Sequence, residues 1–412
     1  MKSIVPVTWI STTMPPGDWI LIGLMALAAV PWLVLAAEAL LSLLPVRSEK
    51  SLNADRPTCG ILVPAHNEAT GIVATVRNLT SQLRPGDVLL VVADNCTDET
   101  AALAREAGAT VTERHDAERR GKGFALDHGL GQLPPELPVV LVVDADCEME
   151  AGAVDRLAEA AHCLQRPVQG VYLIGTGKES DPKRQLSAFA VLLKNKIRPL
   201  GLHRAGLPCL LTGTGMAFPR EALRKVNLGS GNIVEDMKLG VDLALAGYAP
   251  RLIPAVRLRG AAAPDKGAAI KQRTRWEHGH VATLIYGTPR LLAAGVFRAR
   301  PGLIGLGLEL GVPPLSLLVL VAIGLFTGCV VWWQLGGSWI PGAEIAGSIL
   351  IAGLSVFAAW IKHGRTTVPL KTLLLLPGYV AWKIPIYLKM LVSRQRKWVR
   401  TDRAAEEVQV KA

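Results

Sequence analysis

The sequence predicts an α/β domain with a mostly parallel sheet, set between apolar segments long enough to cross a membrane. Three observations carry this. Strand-like and helix-like segments alternate from Cys59 to Val143 with short loops between them, the pattern of parallel strands joined by crossover helices. The last of these strands, Val139-Val-Leu-Val-Val143, is an unbroken apolar run rich in valine, as expected of a central strand buried on both faces. Half of the 412 residues are hydrophobic, and long apolar runs flank the alternating region on both sides.

Residues 1–18 form a short lead. Trp19 to Leu44 is apolar apart from Glu38 and Ser42, long enough to span a bilayer and too long for a signal-peptide core, so 19–44 reads as an uncleaved anchor. Arg47 and Lys50 follow it, which places the chain beyond the anchor in the cytosol by the positive-inside rule. After a polar linker at 51–57, Cys59–Ala65 reads as a strand. Ile72, Val76, Leu79 and Leu83 recur at helical spacing. A strand at Val88–Ala93, a helix at Thr100–Gly108, a strand at Ala109–Glu113 and a helix at Phe124–Gln132 lead to the central strand. Right-handed connections of this kind leave the strand C-termini on one edge.

The loops on that edge hold the chemistry: Pro64-Ala-His66-Asn67-Glu68, Asp94-Asn-Cys-Thr-Asp98, Arg119-Arg-Gly-Lys122-Gly123 and Asp144-Ala-Asp146. Carboxylates suit ribose hydroxyls and a base edge, a lysine suits a diphosphate, and a D-x-D pair suits a hard divalent cation shared with substrate phosphates. Together they fit a nucleoside diphosphate, although Gly, Asp and Asn are also ordinary turn formers and a lone D-x-D can be two solvated loop acids.

Beyond the central strand, Val154–Leu164 reads as a helix, Val168–Ile174 as a strand, Ala188–Leu193 as helical, and Tyr248–Leu258 as one or two strands. Thr212-Gly213-Thr-Gly-Met216 offers glycines where backbone can approach a ligand closely. Glu235-Asp236 opens the helix Met237–Leu245. Such a pair either complements the helix dipole or supplies a general base at the helix mouth. Gln272-Arg-Thr-Arg275-Trp276 reads, taken alone, as part of an amphipathic surface helix.

The last third returns to apolar sequence. Within 302–361, spans are expected at 312–333 and 344–361, with Trp332, Trp333, Trp339 and Trp360 near their ends. Gly302–Leu310 is too short to cross. Residues 368–392 are long enough, but Lys371, Lys383 and Lys389 and two prolines interrupt them. Two spans return the chain to the cytosol, where the basic tail 393–412 belongs, so 368–392 reads as an interfacial or re-entrant helix.

The net charge is +11. Many basic residues flank apolar segments and are not interleaved with aromatics, which points to membrane lipid and argues against nucleic acid. The six cysteines are scattered with no C-x-x-C, so neither a zinc site nor a disulfide framework is expected.

With these residues in hand, the chain resembles the membrane-bound family-2 glycosyltransferases of the GT-A fold, a Rossmann-like sheet. Cellulose, hyaluronan and chitin-oligosaccharide synthases and the ceramide glucosyltransferases belong to that group. The resemblance covers residues 58–285 and rests on Pro64–Glu68, Asp94 with Asp98, Gly121-Lys122-Gly123, Asp144-Ala-Asp146, Glu235-Asp236 and Gln272–Trp276. It implies that Asp94 contacts the uracil or its ribose with His66, Asn67, Glu68, Asp98 and Lys122 nearby. Asp144 would face the donor's ribose or sugar and join Asp146 at a Mg2+ or Mn2+ ion. Asp236 would be the base, with Glu235 beside it. Gln272, Arg275 and Trp276, with Thr212 and Gly213, would hold the diphosphate and line the acceptor site. Two departures are Asn95 after Asp94, where the family shows a second acid, and Val234 before Glu235, where it shows Thr.

The implied reaction is inverting transfer of a sugar from a nucleotide sugar, a UDP-sugar, to a hydroxyl. The implied setting is the inner membrane of a bacterium making exopolysaccharide, with polysaccharide-export partners. A single addition to a lipid-linked acceptor is the alternative. A catalytically dead scaffold would have lost Asp146 or Asp236, and both are present.

Overall fold

The structure, a computed structural model, describes residues 14–45, 56–175, 181–232, 234–260 and 266–392. Most of the lead, Arg47, Lys50, residues 51–55 of the linker and the basic tail lie outside the described residues.

Among the described residues, eight strands form one sheet: β1 (Cys59–Ala65), β2 (Val88–Asp94), β3 (Thr110–Arg114), β4 (Val139–Val142), β5 (Cys147–Met149), β6 (Val168–Ile174), β7 (Met216–Pro219) and β8 (Arg251–Gly260), in the order β3-β2-β1-β4-β7-β6-β8-β5. The first four are mutually parallel. The expectation of a mostly parallel sheet stops there. β7 runs antiparallel to β4 and β6, and β5 antiparallel to β8, while β6 and β8 are parallel. The cause is the path of the chain. It leaves β6 into helical turns at Pro182–Arg204 and re-enters the sheet from the edge it left. Among the described residues no crossover carries it back to the other edge, and β7 runs in the reverse direction.

The period of two decides which side chains meet which face. Ile61, Val63, Leu89, Val91, Val139, Leu141 and Val143 belong to one buried cluster, with Ile72, Val76 and Leu79 of helix Ile72–Thr80 and Val154 and Leu157 of helix Ala153–Leu164. The intervening Leu62, Leu90, Val140 and Val142 belong to a second cluster, with Leu126 of helix Lys122–Gln132. A run with no polar residue is therefore required, because both faces are covered. Each such side chain, fully buried, contributes about 1.5–3 kcal/mol.

Among the described residues, three helices are long and apolar enough to cross a membrane: Pro16–Leu41, Leu315–Gln334 and Ile340–His363. The first and third run in the same direction. Near their starts, Asp18 accepts hydrogen bonds from Trp332 Nε1 (2.7 Å) and Ser338 N (2.9 Å). Near their ends, Lys362 Nζ donates to Leu43 O (2.6 Å) and His363 Nε2 lies 3.2 Å from Ser42 O. Glu38, the acid in the first apolar run, is buried and accepts from Arg198 Nε at 2.5 Å. It joins that helix to the α/β domain. Helix Pro301–Leu310 packs Leu303, Leu306 and Leu310 on Met237, Val241 and Leu291 of the α/β domain.

Candidate active site

The C-terminal ends of β1, β2 and β4 open onto a cleft of about 250 Å³. It lies where parallel strands stop and their helices begin, the place where open α/β sheets bind ligands. His66 and Glu68 line it from the loop after β1, and Asp94 from the end of β2. His66 Nδ1 lies 2.6 Å from Asp94 O, and Arg114 Nη1 donates to Asp94 Oδ1 at 2.6 Å. Asn95 keeps a structural place beside this pair: its Nδ2 donates to Asp94 Oδ1 (3.0 Å) and its Oδ1 accepts from Asp116 N (2.9 Å).

Asn67 and Asp98 do not line the cleft. Their polar atoms tie the first two loops together. Asn67 exchanges hydrogen bonds with Thr97 Oγ1 (2.9 Å) and Thr97 N (2.7 Å). Asp98 accepts from Thr100 N (3.1 Å), Thr100 Oγ1 (2.5 Å) and Ala69 N (3.2 Å). Burial raises the Asp98 carboxyl, but these bonds outweigh it and hold the group below its ordinary range, as expected of an ionised acceptor.

Lys122, at the first position of its helix, spans the cleft. Its ammonium pairs with Asp144, donates to Gly213 O at 2.6 Å and stands 3.8 Å from Glu235 Oε1. Gly213 has φ +89, and a Cβ there would lie 3.3 Å from Asp236 Oδ2. Glycine therefore allows both the left-handed turn and the close approach of Asp236.

Glu235 and Asp236 are the first two residues of helix Glu235–Leu245, and both line the cleft. Burial pushes the Glu235 carboxyl up to about 7, against the pull of Lys122 and with the help of Asp236. Burial also raises Asp236, opposed by Lys194 and then Lys122. Asp236 Oδ1 accepts from Met237 N at 2.8 Å. Glu235 thus lies where a carboxyl can exchange a proton near neutral pH, and Asp236 is shifted in the same direction.

Across the cleft, one ligand atom each from Asp144, Asp146 and Cys147 lie within 4.8 Å of one another. Cys147 Sγ lies 3.6 Å from Asp146 Oδ1, and burial followed by the Asp146 charge keeps its thiol protonated. The two carboxylates remain as hard oxygen donors, a set that fits Mg2+ or Mn2+ and not a thiophilic ion.

Gln272, Arg275 and Trp276 also line the cleft, from helix Lys266–Phe297. That helix runs twelve residues past position 285, so the domain boundary expected there falls inside one element. Arg275 and Thr212 both line the cleft, and the buried Arg275 Nε and Thr212 Oγ1 have no hydrogen-bond partner among the described residues. Every expected site residue except Asn67 and Asp98 thus meets in one cleft. Sequence reading missed Tyr172, Lys194 and Asn195, which line it too. The last two stand on a π-helical turn, Leu193–Ile197. The signal was present: polar Lys-Asn-Lys interrupting an apolar helical run at Leu192, Leu193, Ile197 and Leu200.

Residues 57–279 match the family described as "Glycosyltransferase like family 2". An uncharacterized glycosyltransferase of Mycobacterium bovis is 32% identical over 119 residues, 27% of this chain and 50% of the relative. The 4,4'-diaponeurosporenoate glycosyltransferase of Staphylococcus aureus is 37% identical over 83 residues, 20% of this chain and 22% of the relative. The chain thus spans at most about half the length of these relatives. Among solved structures, a mannosyltransferase from Pyrobaculum calidifontis in complex with GDP-Man and Mn2+ aligns with TM-score 0.54 and 20% identity, over 91% of this chain and 99% of that one. It shows that the fold is shared, and the mixed, curled sheet fits the GT-A type.

Proposed function

The chain belongs to glycosyltransferase family 2, and from that premise we propose that it transfers a sugar from a nucleoside diphosphate sugar to a hydroxyl acceptor with inversion. One observation carries the reading: the Asp144/Asp146 pair, the Glu235/Asp236 pair and the Gln272–Trp276 face line one sugar-sized cleft.

Asp236 takes the proton of the acceptor hydroxyl as its oxygen bonds to the anomeric carbon. The bond from that carbon to the diphosphate breaks on the opposite face, and its electron pair leaves with the diphosphate. A positioned base contributes about 10²–10⁴-fold to such a step. The Arg275 guanidinium and the Lys122 ammonium take up the charge that develops on the leaving group. Asp144 and Asp146 would hold Mg2+ or Mn2+, which supplies further charge neutralisation at the diphosphate when bound. The Asp94, His66 and Glu68 end would receive the base and ribose, with uridine the proposed nucleoside.

The two helices that run in the same direction support an arrangement in which the domain and residues 368–392 share the cytosolic side. Only Leu315–Gln334 and Ile340–His363 then cross between them. The proposed setting is synthesis of a bacterial surface polysaccharide at the inner membrane, with export partners. The test is a screen of UDP- and GDP-sugars against full-length protein in detergent with Mn2+ or Mg2+, followed by NMR of the product anomer. A product that retains the donor's configuration would sink the inverting mechanism.

A further inference from the structure

The segment Pro182–Arg204 is helical throughout but loosens into a π turn at Leu193–Ile197. Single π turns cost hydrogen-bond geometry and recur at functional sites. This one serves two surfaces. Phe189, Leu192, Leu193 and Ile197 are buried in the same cluster as Trp32, Leu318 and Trp360 of the three apolar helices. Lys194 and Asn195, on the other side of the turn, line the cleft. The wall between the sugar-sized cleft and the apolar bundle is therefore a single helical layer.

Asn195 is 6% exposed. Its Nδ2 donates to Tyr172 O at 3.2 Å, which fixes the amide so that Oδ1 is the free end, and Oδ1 has no partner among the described residues. A buried amide oxygen without a donor loses the hydrogen bond it had in water, and a ligand hydroxyl reaching it from the cleft would restore that bond. Thr212 lines the same cleft, and its buried Oγ1 is also unpartnered among the described residues. Both atoms can accept a hydrogen bond from a hydroxyl, and neither belongs to the acids and cations that suit the donor's diphosphate.

We propose that Asn195 and Thr212, with Lys194 and Tyr172 beside them, form the acceptor subsite, and that it takes a glycosyl head whose hydroxyls donate to Asn195 Oδ1 and Thr212 Oγ1. This rests on the transferase reading above. The head comes from a free saccharide or from an amphiphile whose tail lies among the apolar helices, and the test separates these sources.

Membranes carrying the full-length chain receive radiolabelled nucleotide sugar, with maltose and n-dodecyl β-D-maltoside as acceptors in parallel arms. Label is counted in the aqueous and organic phases. In Asn195→Leu, which keeps the bulk and removes the oxygen, the acceptor KM rises about tenfold and the donor KM moves by less than about twofold. Label recovered in the organic phase assigns the amphiphile head, and label in the aqueous phase assigns the free saccharide. An unchanged acceptor KM, or donor and acceptor KM rising together, overturns the subsite. Donor hydrolysis by the wild type without transfer to either glycoside overturns the glycosyl specificity. A wild type that turns over no nucleotide sugar overturns the transferase reading itself.

Discussion

The Lys122 ammonium pairs with Asp144 and stands 3.8 Å from Glu235 Oε1, so one cation joins the D-x-D loop to the mouth of helix Glu235–Leu245. Without it, the carboxylates on the two walls would face each other in a confined space. With it, the cleft carries a lysine already placed where a diphosphate would need one.

Lys122→Gln should therefore do more than weaken donor binding. Loss of one preorganised charge at a leaving group costs about 10²–10³ in turnover. Lys122 also opposes the upward shift of Glu235 and Asp236, so the acid limb of the pH–rate profile should move to higher pH. Steady-state kinetics across pH 5–9 would show both effects. A pure rise in donor KM with an unmoved profile would contradict this picture.

Asp236 must be ionised to accept a proton, so activity should be lost as pH falls through its raised pKa. The groups around it are Lys194 and Lys122, which lower that value, and Asp144, which raises it. Lys194→Met removes the larger opposing charge. The acid limb should move upward, and Lys194→Arg should leave it near the wild-type position. Asp236→Asn should lose about 10²–10⁴ in transfer at every pH.

Glu235 carries a stability signature of opposite sign to an ordinary ion-paired acid. Its folded-state pKa is about 7, above the ordinary 4.5. The folded protein binds the extra proton between those values, so this group's contribution falls as pH rises from about 4.5 to about 7. At about 1.4 kcal/mol per pH unit, the cost at pH 8 is about 3 kcal/mol. Glu235→Gln should melt at higher temperature than wild type at pH 8, with the gap closing at pH 5. Equal melting temperatures at both pH values would show that burial does not raise the Glu235 carboxyl.

Asp144 and Asp146 should make Mn2+ binding measurable by calorimetry on the unliganded protein. Asp146→Asn should weaken it by about tenfold or more, whereas Cys147→Ser should change it little, because the buried thiol stays protonated. A large loss in Cys147→Ser would make the thiol a ligand and change the expected metal.

How far all this was legible in the sequence depends on how local each signal is. β1, β2 and β4 were readable because two-sided burial demands apolar side chains at every position, as at Ile61, Leu62 and Val63. The reversal of β7 was not, because Met216–Pro219 looks the same in either direction and only the path through Pro182–Arg204 decides it. The acids were readable as pairs at strand and helix ends. Asn195 left only a faint trace, the polar Lys-Asn-Lys break in an apolar helical run, and that break has no assigned direction until the π turn gives it a face. Asn67 and Asp98 look like ligands, yet their atoms close the loops around the site.

Residues 368–392 show how a partner distant in sequence changes the meaning of a charge. Lys383, read as a cost to membrane insertion, is 5% exposed and pairs with Glu277, and Tyr387 donates to the same carboxylate. Glu277 follows Trp276 directly, and His278 Nε2 lies 3.2 Å from Ile386 O. The helix Leu376–Val392 is thus bound to the helix that carries Gln272 and Arg275, through polar groups that lipid could not satisfy. Breaking one half of a buried pair costs about 3–5 kcal/mol, whereas removing both halves with matched apolar volume is close to neutral. Lys383→Met should therefore lower the melting temperature in detergent and raise the donor KM as the Arg275 face loosens. Lys383→Met with Glu277→Leu should recover most of the stability. A single variant as stable as wild type would mean that the C-terminal helix is held elsewhere, and its lysines would again have to be explained by the membrane surface.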